Sequence, residues 1–330
     1  MDTTPLSPEL TQRILAWWGL AAAAPTPSFL DQLVTAYAQH IPWETASRLA
    51  LKANTPQWQD CPRLGAAFWE SALARGTGGT CFESNYAFFS LLRALGYEGY
   101  LTINNMGETI GCHTAIVLTL GQEKWLTDVG IPLYVPIKLD AAAAAQRLSP
   151  FHLYTVIPVG ENLYQIERSD HPKPIVFTLI DSPVTDEAYR QATTNDYGPD
   201  GLFLNRLILT KVIRGRAWLY NPWETATHIL SFKNGERSEL ALGENKAAIL
   251  ADHFQIDEAI IQQALVMLCR GSGPQESFLY REQEINRRFS GITAISLIGE
   301  FCVYLRKIFF WLSRSPPPPI AADWLIADRL

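Results

Sequence analysis

Of the five cysteines in the chain, Cys81 has the surroundings a nucleophile needs. Gly78-Gly79 precede it and let the backbone bend tightly, while Phe82, Tyr86, Phe89, Leu92 and Leu95 follow at helical spacing up to Gly96. The thiol is therefore expected at a helix N-terminus, where unpaired N–H groups and the helix dipole stabilise a thiolate. An ordinary cysteine has a pKa of ~8.5, so a nucleophilic one needs that help and a base. The same amides could form an oxyanion hole for an acyl intermediate. A thiol simply packed beneath a glycine turn fits the same residues.

His113 and Asp128 lie 15 residues apart on two strand-like runs joined by Leu120-Gly121-Gln122-Glu123. In an antiparallel hairpin that separation allows direct opposition, with a loop of either Leu120-Gly121 or Thr119–Gln122. Opposed residues share a face with Cβ atoms ~4.5–5.5 Å apart. An imidazole and a carboxylate then fall within hydrogen-bond reach, and the carboxylate leaves the second ring nitrogen for a thiol. The register can also slip by one or two residues, which leaves a chance pair on a surface hairpin.

The remaining candidates point to structure. Cys112 neighbours His113 in a strand and should face the other side. Cys61, Cys269 and Cys302 lack glycine turns or partners, and His152 and Asp252-His253 have no motif around them. Gly271-Ser272-Gly273-Pro274 is too little for a phosphate cradle. Six scattered His and no CxxC or HxxxH pair predict no metal site. The 27 Lys+Arg against 33 Asp+Glu argue against a nucleic-acid partner, and five sparse Cys suggest a reduced, cytoplasmic setting. The N-terminus MDTTPLSPEL lacks the pattern of a secretory signal. The uncharged run from Ile14 to Leu30 contains Pro25 and Pro27 and is shorter than the ~20 residues of a spanning helix. In the apolar run Ile292–Leu312, Glu300, Arg306 and Lys307 predict a buried or surface-lying helix rather than a stable membrane span.

Around these residues the chain divides by period. Residues 1–96 read as helical: Ser7-Pro8-Glu9 and Thr26-Pro27-Ser28 are start signals, Leu64 to Leu73 is a third helix, and Cys81 opens another. Residues 97–203 read as β-rich, with strands Tyr97–Ile103, His113–Leu120, Trp125–Val129, Leu153–Val159, Leu163–Glu167 and Ile175–Ile180. Residues 204–290 mix strands (Leu204–Val212, Arg216–Tyr220, His228–Phe232) with helix over 244–270, where Asp257 is the expected cap. Residues 291–330 hold the apolar helix and a tail with Pro316–Pro319.

The stretch Gly78-Gly79-Thr80-Cys81-Phe82-Glu83-Ser84-Asn85 resembles the RGGxCFExN signature of the arylamine N-acetyltransferases. His113–Leu118 is similar to that family's histidine strand, and Asp128-Val129-Gly130 to its DVG motif, in the same order. Ile41-Pro42-Trp43-Glu44 resembles its IPFEN segment, and Pro199–Phe203 followed by Arg214–Leu219 its SxF and turn-strand region. The resemblance covers about residues 5–270. It implies an α+β fold with a helical domain carrying the cysteine, a β-barrel carrying histidine and aspartate, and an α/β lid around a core like that of cysteine proteases and transglutaminases.

It also implies ping-pong chemistry without a metal. Cys81 would take acetyl from acetyl-CoA, His113 would manage the proton, Asp128 would orient it, and a small amine such as an arylamine or hydrazine would attack the thioester. Ile131 and Phe203 would line the acceptor pocket. The family's signature Arg is Thr77 here and the aromatic before the cysteine is Thr80, so Glu44 loses its usual partner, and Arg75 is the expected substitute. The family's DVGF aromatic is Ile131. An amide synthase or cysteine hydrolase using the same triad, and a non-catalytic binding protein on the same scaffold, are the rival readings.

Overall fold

The structure, a computed structural model, describes residues 4–169, 174–199, 201–233 and 236–271. The expected apolar helix and tail of residues 291–330 and Cys302 lie outside them.

Helices come first, and their starts obey local chemistry. Ser7 Oγ accepts the Leu10 amide at 3.2 Å to open α1 (Pro8–Trp18), and Thr26 Oγ1 accepts the Phe29 amide at 3.2 Å to open α2 (Pro27–His40). Then follow β1 (Trp43–Glu44), α3 (Ala46–Asn54), a short 3₁₀ turn at Trp58–Asp60, α4 (Ala66–Arg75) and α5 (Cys81–Ala94). Helix α5 is buried on every side from Cys81 to Leu92, the condition of a helix that forms the centre of a core rather than its edge. Around it pack Leu30, Leu33 and Tyr37 of α2 and Phe68 and Trp69 of α4. Trp69 meets Trp18 and Tyr37 edge to face at 5.5 and 6.0 Å between centroids.

Eight antiparallel strands succeed α5: β2 (Glu98–Met106), β3 (Thr109–Leu120), β4 (Glu123–Thr127), β5 (Ile137–Leu139), β6 (Ala145–Leu148), β7 (Leu153–Gly160), β8 (Leu163–Arg168) and β9 (Ile175–Ile180). Their order, β5-β4-β3-β2-β9-β8-β7-β6, brings β5 and β6 near each other without pairing them, so the sheet is a nearly closed barrel. Its interior holds Met106, Val117, Leu126, Tyr154, Ile166 and Phe177. Next come α6 (Asp186–Asn195), β10 (Leu209–Ile213), β11 (Arg216–Tyr220), β12 (His228–Lys233), β13 (Glu236–Ala241), α7 (Lys246–Phe254) and α8 (Glu258–Gly271). Arg214-Gly215 joins β10 to β11 with both residues at positive φ (52° and 70°), the two-residue turn that matches strand twist.

β1 pairs with β10 at the edge of a five-stranded sheet, β1-β10-β11-β12-β13, and α3 packs against α8. Residues 43–54 thus tie the helical part to the last sheet. The architecture is α+β, as the sequence implies. Three details differ. Helix α6 sits inside the stretch read as β, because it buries only Tyr189 and Thr193 and so shows almost no apolar period. Helix α3 went unread because the charged Arg48 falls on its buried face. β10 begins at Leu209, not Leu204; the preceding segment is irregular, with Phe203 at φ 62°.

Candidate active site

Three elements converge on Cys81. The residue opens α5, and Thr80 before it caps no amide with its side chain, which leaves the first-turn N–H groups available to an incoming oxyanion. The two glycines upstream answer to space rather than to bending. A Cβ on Gly78 would lie 1.7 Å from the Pro42 carbonyl oxygen, and neither Gly78 nor Gly79 takes the left-handed backbone. Trp43 bridges Gly79, and the Glu44 amide donates to the Gly79 carbonyl at 3.3 Å.

His113, on β3, is fully buried. Its Nε2 lies 2.6 Å from Asp128 Oδ2. Its Nδ1 is buried and has no hydrogen-bond partner, while the carbonyl of the preceding residue, Cys112, is 3.8 Å from Cys81 Sγ. The thiol therefore lies against the backbone that carries the imidazole, and the free ring nitrogen is the one the aspartate does not use. Phe177 covers the ring, 4.6 Å between centroids.

The expected hairpin register is corrected. Thr127 faces Ile116 and Leu126 faces Val117, so the turn is Gly121-Gln122 and strand β4 ends one residue before Asp128. Continued one step, this register would place Asp128 opposite Ala115. That is two residues from His113 and on the same face, and so the pair still meets.

Asp128 is held by more than the histidine. Its Oδ1 accepts from Asn85 Nδ2 (2.9 Å), the Gly130 amide (2.7 Å) and the Ile131 amide (3.1 Å). Asn85, one turn into α5 from Cys81, also donates to the Thr114 carbonyl at 2.8 Å and accepts the Val129 amide at 3.0 Å. One side chain thus locks helix, histidine strand and aspartate loop together. Gly130 is pressed against Cys81: a Cβ there would come within 2.5 Å of Cys81 Cα. Tyr189 of α6 adds a brace, its hydroxyl 2.9 Å from the Phe82 carbonyl and 3.0 Å from Thr114 Oγ1.

The surroundings of the sulfur work against the help expected from the helix start. Burial pushes the Cys81 thiol well up, Asp196, Cys112 and Asp128 push the same way, and only Arg48 is opposed among the principal influences. A sulfur in these surroundings calls for a base beside it.

The expected substitution of Arg75 is also corrected. Arg75 pairs with Asp257 at 2.9 Å on the partly exposed flank. Arg63 supplies the buried guanidinium instead: it donates to Ser47 Oγ (2.7 Å), the Gly78 carbonyl (2.7 Å), Thr77 Oγ1 (3.1 Å) and Glu83 Oε2 (3.2 Å). Glu44 accepts from the Ser47 and Gly78 amides at 2.8 and 3.0 Å. Thr77 is therefore an acceptor for an arginine that comes from elsewhere in the chain. Thr80 is likewise an acceptor, for Arg48 at 3.1 Å. Nothing in the sequence flags Arg48 or Arg63, since each lies far from the motif it serves.

Ile131 and Phe203 join one apolar cluster, and Phe203 meets Trp43 edge to face at 5.2 Å. Phe203 and Tyr134 both hold positive φ (62° and 64°), a backbone that bulky residues seldom adopt. Beside them a narrow cleft is lined by Tyr37, Trp43, Val129, Tyr134, Lys211 and Trp218 among others. The other thiols divide: Cys61 and Cys112 are buried, as expected, whereas Cys269 is exposed. His253 meets Trp218 edge to face at 4.4 Å between centroids, and His152 Nδ1 lies 3.0 Å from the Ser169 carbonyl; neither is part of the Cys81 cluster.

A helix-borne cysteine meeting a histidine–aspartate pair on a barrel is the layout of an acyl-transferring cysteine enzyme. The N-acetyltransferase family profile matches residues 28–261. The chain thus belongs to the arylamine N-acetyltransferase family and is an acyltransferase. No curated protein sequence matches it. Solved structures with the same fold include the Mycobacterium abscessus arylamine N-acetyltransferase (20% identity, TM-score 0.64, 81% of this chain and 99% of that one). Another is the Bacillus cereus arylamine N-acetyltransferase with a Cys-His-Glu catalytic triad (18%, 0.62, 76% and 100%). A third is the Mycobacterium marinum arylamine N-acetyltransferase in complex with CoA (17%, 0.64, 77% and 96%). Among the described residues no helix is long and apolar enough to cross a membrane.

Proposed function

We propose that the protein moves an acetyl group from acetyl-CoA to a small amine through a thioester on Cys81. The observation that carries this reading is the divided imidazole: Nε2 is engaged by Asp128 at 2.6 Å, and Nδ1 is left free on the strand that touches the thiol. His113 Nδ1 takes the Cys81 proton as sulfur attacks the acetyl carbonyl. The carbonyl oxygen becomes an oxyanion facing the first-turn amides of α5. Collapse breaks the bond to the CoA sulfur, and His113 returns the proton to that leaving thiolate. In the second half the amine attacks the thioester, His113 accepts the amine proton, and the Cys81 thiolate leaves and recovers it. Asp128 supports the imidazolium in both halves.

Acetyl-CoA as donor is supported by the Mycobacterium marinum neighbour, solved with CoA. Ile131 and Phe203, in one cluster beside Trp43, are the residues we assign to the acceptor wall. A cytoplasmic setting, where acetyl-CoA is made and thiols stay reduced, fits the free cysteines. Initial rates measured over a grid of acetyl-CoA and arylamine concentrations test the proposal. Parallel double-reciprocal lines are expected for the ping-pong route, and converging lines would contradict it.

A further inference from the structure

A second buried ionic unit lies against Thr80, the residue before Cys81. Arg48, on α3, has no exposed side-chain surface. Its Nη1 donates to Thr80 Oγ1 at 3.1 Å, on the residue immediately before Cys81. Its Nη2 donates to the Asp196 carbonyl at 2.7 Å and the Leu202 carbonyl at 3.2 Å, and lies 3.0 Å from Asp196 Oδ2. The guanidinium also sits 4.1 Å over the Tyr197 ring. Asp196 Oδ1 in turn accepts the Leu202 amide at 3.1 Å, so the segment leading into Phe203 hangs on the same pair.

Such an arrangement is expensive unless it does something. A buried ion pair recovers little more than the desolvation of its two charges, and ordinary packing could hold Thr80 in place. A charge one residue from a buried sulfur, though, acts across a short distance in a poorly screened medium. Two opposite charges there bias the sulfur in opposite directions. The other groups facing it are His113 and Cys112 from β3, Asp128 from the loop after β4, and Tyr189 from α6.

We infer that the Arg48–Asp196 pair is a positioning unit for Cys81: Arg48 fixes the start of α5 through Thr80 and places a buried pair of charges against the residue that precedes the sulfur. The inference rests on Cys81 being the nucleophile proposed above. The directions agree with it, since Asp196 holds the thiol up and Arg48 draws it down. Burial pushes the Asp196 carboxyl up, and Arg48 pulls it back.

The test is the pH profile of Cys81 alkylation by iodoacetamide, read by peptide mass spectrometry in a Cys269→Ser background that removes the thiol exposed among the described residues. Asp196→Asn keeps the Leu202 contact and removes the carboxylate charge. It should move the Cys81 profile to lower pH by about one unit, a tenfold faster reaction on the acid limb. Adding Arg48→Gln to Asp196→Asn leaves no unpaired charge and should move the profile back up, because the remaining cation is gone. Thr80→Val keeps the volume, removes the acceptor and should slow Cys81 alkylation by about tenfold with unchanged unfolding. Coincident profiles in wild type and the two charge variants, or a native alkylation rate in Thr80→Val, would overturn the inference. Alkylation needs no acyl donor, so a protein that fails to transfer acetyl still gives this answer, and the two claims fail separately.

Discussion

Gly130→Ala is the smallest change that should disable the site. The glycine's backbone lies outside the left-handed region, so alanine meets no conformational penalty there; the obstacle is space. Its Cβ would fall 2.5 Å from Cys81 Cα and 2.7 Å from both Cys81 Cβ and Asn85 Nδ2. Restoring an ordinary contact of about 3.4 Å requires α5 and the 128–131 loop to part by about 0.9 Å. The loop carries Asp128, whose Oδ1 takes the Gly130 amide at 2.7 Å and Asn85 Nδ2 at 2.9 Å. The separation therefore moves the aspartate, and with it the imidazole, away from the sulfur. A misplacement of ~1 Å in a reacting geometry lowers the rate by about 10²-fold, which corresponds to ~2.7 kcal/mol of barrier. Overpacking of this kind destabilises the fold by ~1–3 kcal/mol. The assay is single-turnover acylation by acetyl-CoA, followed by quenching and intact-mass analysis, with urea unfolding as the control. A Gly130→Ala protein that acylates within twofold of wild type would refute the close packing of loop against nucleophile.

Three further outcomes follow from the same contacts. Asp128→Asn should fold yet acylate ~10³–10⁴-fold more slowly, because one amide cannot both accept three N–H groups and support an imidazolium; near-native turnover in a folded variant would remove Asp128 from the site. Arg63→Met should lower stability by about 3–5 kcal/mol, since it strands the buried Glu83, whereas Arg75→Ala should change it by less than about 1 kcal/mol; urea unfolding of both gives the comparison, and equal effects would contradict the assignment of the guanidinium to Arg63. Lys211 is buried, bonds only neutral acceptors in the Phe254 carbonyl and Gln255 Oε1, and is pushed down to about 8 by burial. Between that value and its unfolded value of ~10.4 the unfolded chain holds a proton that the folded one has lost, so stability rises with pH through this window. Wild type should thus gain up to about 3 kcal/mol on Lys211→Met between pH 8 and 10; parallel stability curves would show that Lys211 stays charged.

Much of the site was legible because its chemistry is local. Cys81 after Gly78-Gly79 and before an apolar helical run announces a thiol at a helix start, and α5 begins at that residue. His113 and Asp128 were readable as a same-face pair, and a register shift of two residues preserved the face while changing the turn. What escaped was long-range or unpatterned. Arg63 reaches Thr77 and Gly78 from 14 and 15 residues away, and Arg48 reaches Thr80 from 32. No periodicity marks a residue whose partner is set by the packing of two helices. Helix α6, with two buried residues, and β13, exposed along its whole length, carry no apolar rhythm to read. The burial of Cys81 escaped for a related reason. A helix start pulls a thiol down, but complete burial beside Asp196 and Asp128 depends on the assembled fold.

The central claim is a covalent acetyl-enzyme on Cys81, and intact-mass spectrometry tests it most directly. Brief incubation of the full chain with acetyl-CoA should give a single acetyl adduct that peptide mapping places on Cys81. Adding an arylamine should clear it faster than buffer alone. Absence of the adduct, its appearance on Cys269 or another residue instead, or equal clearance with and without amine would contradict the account.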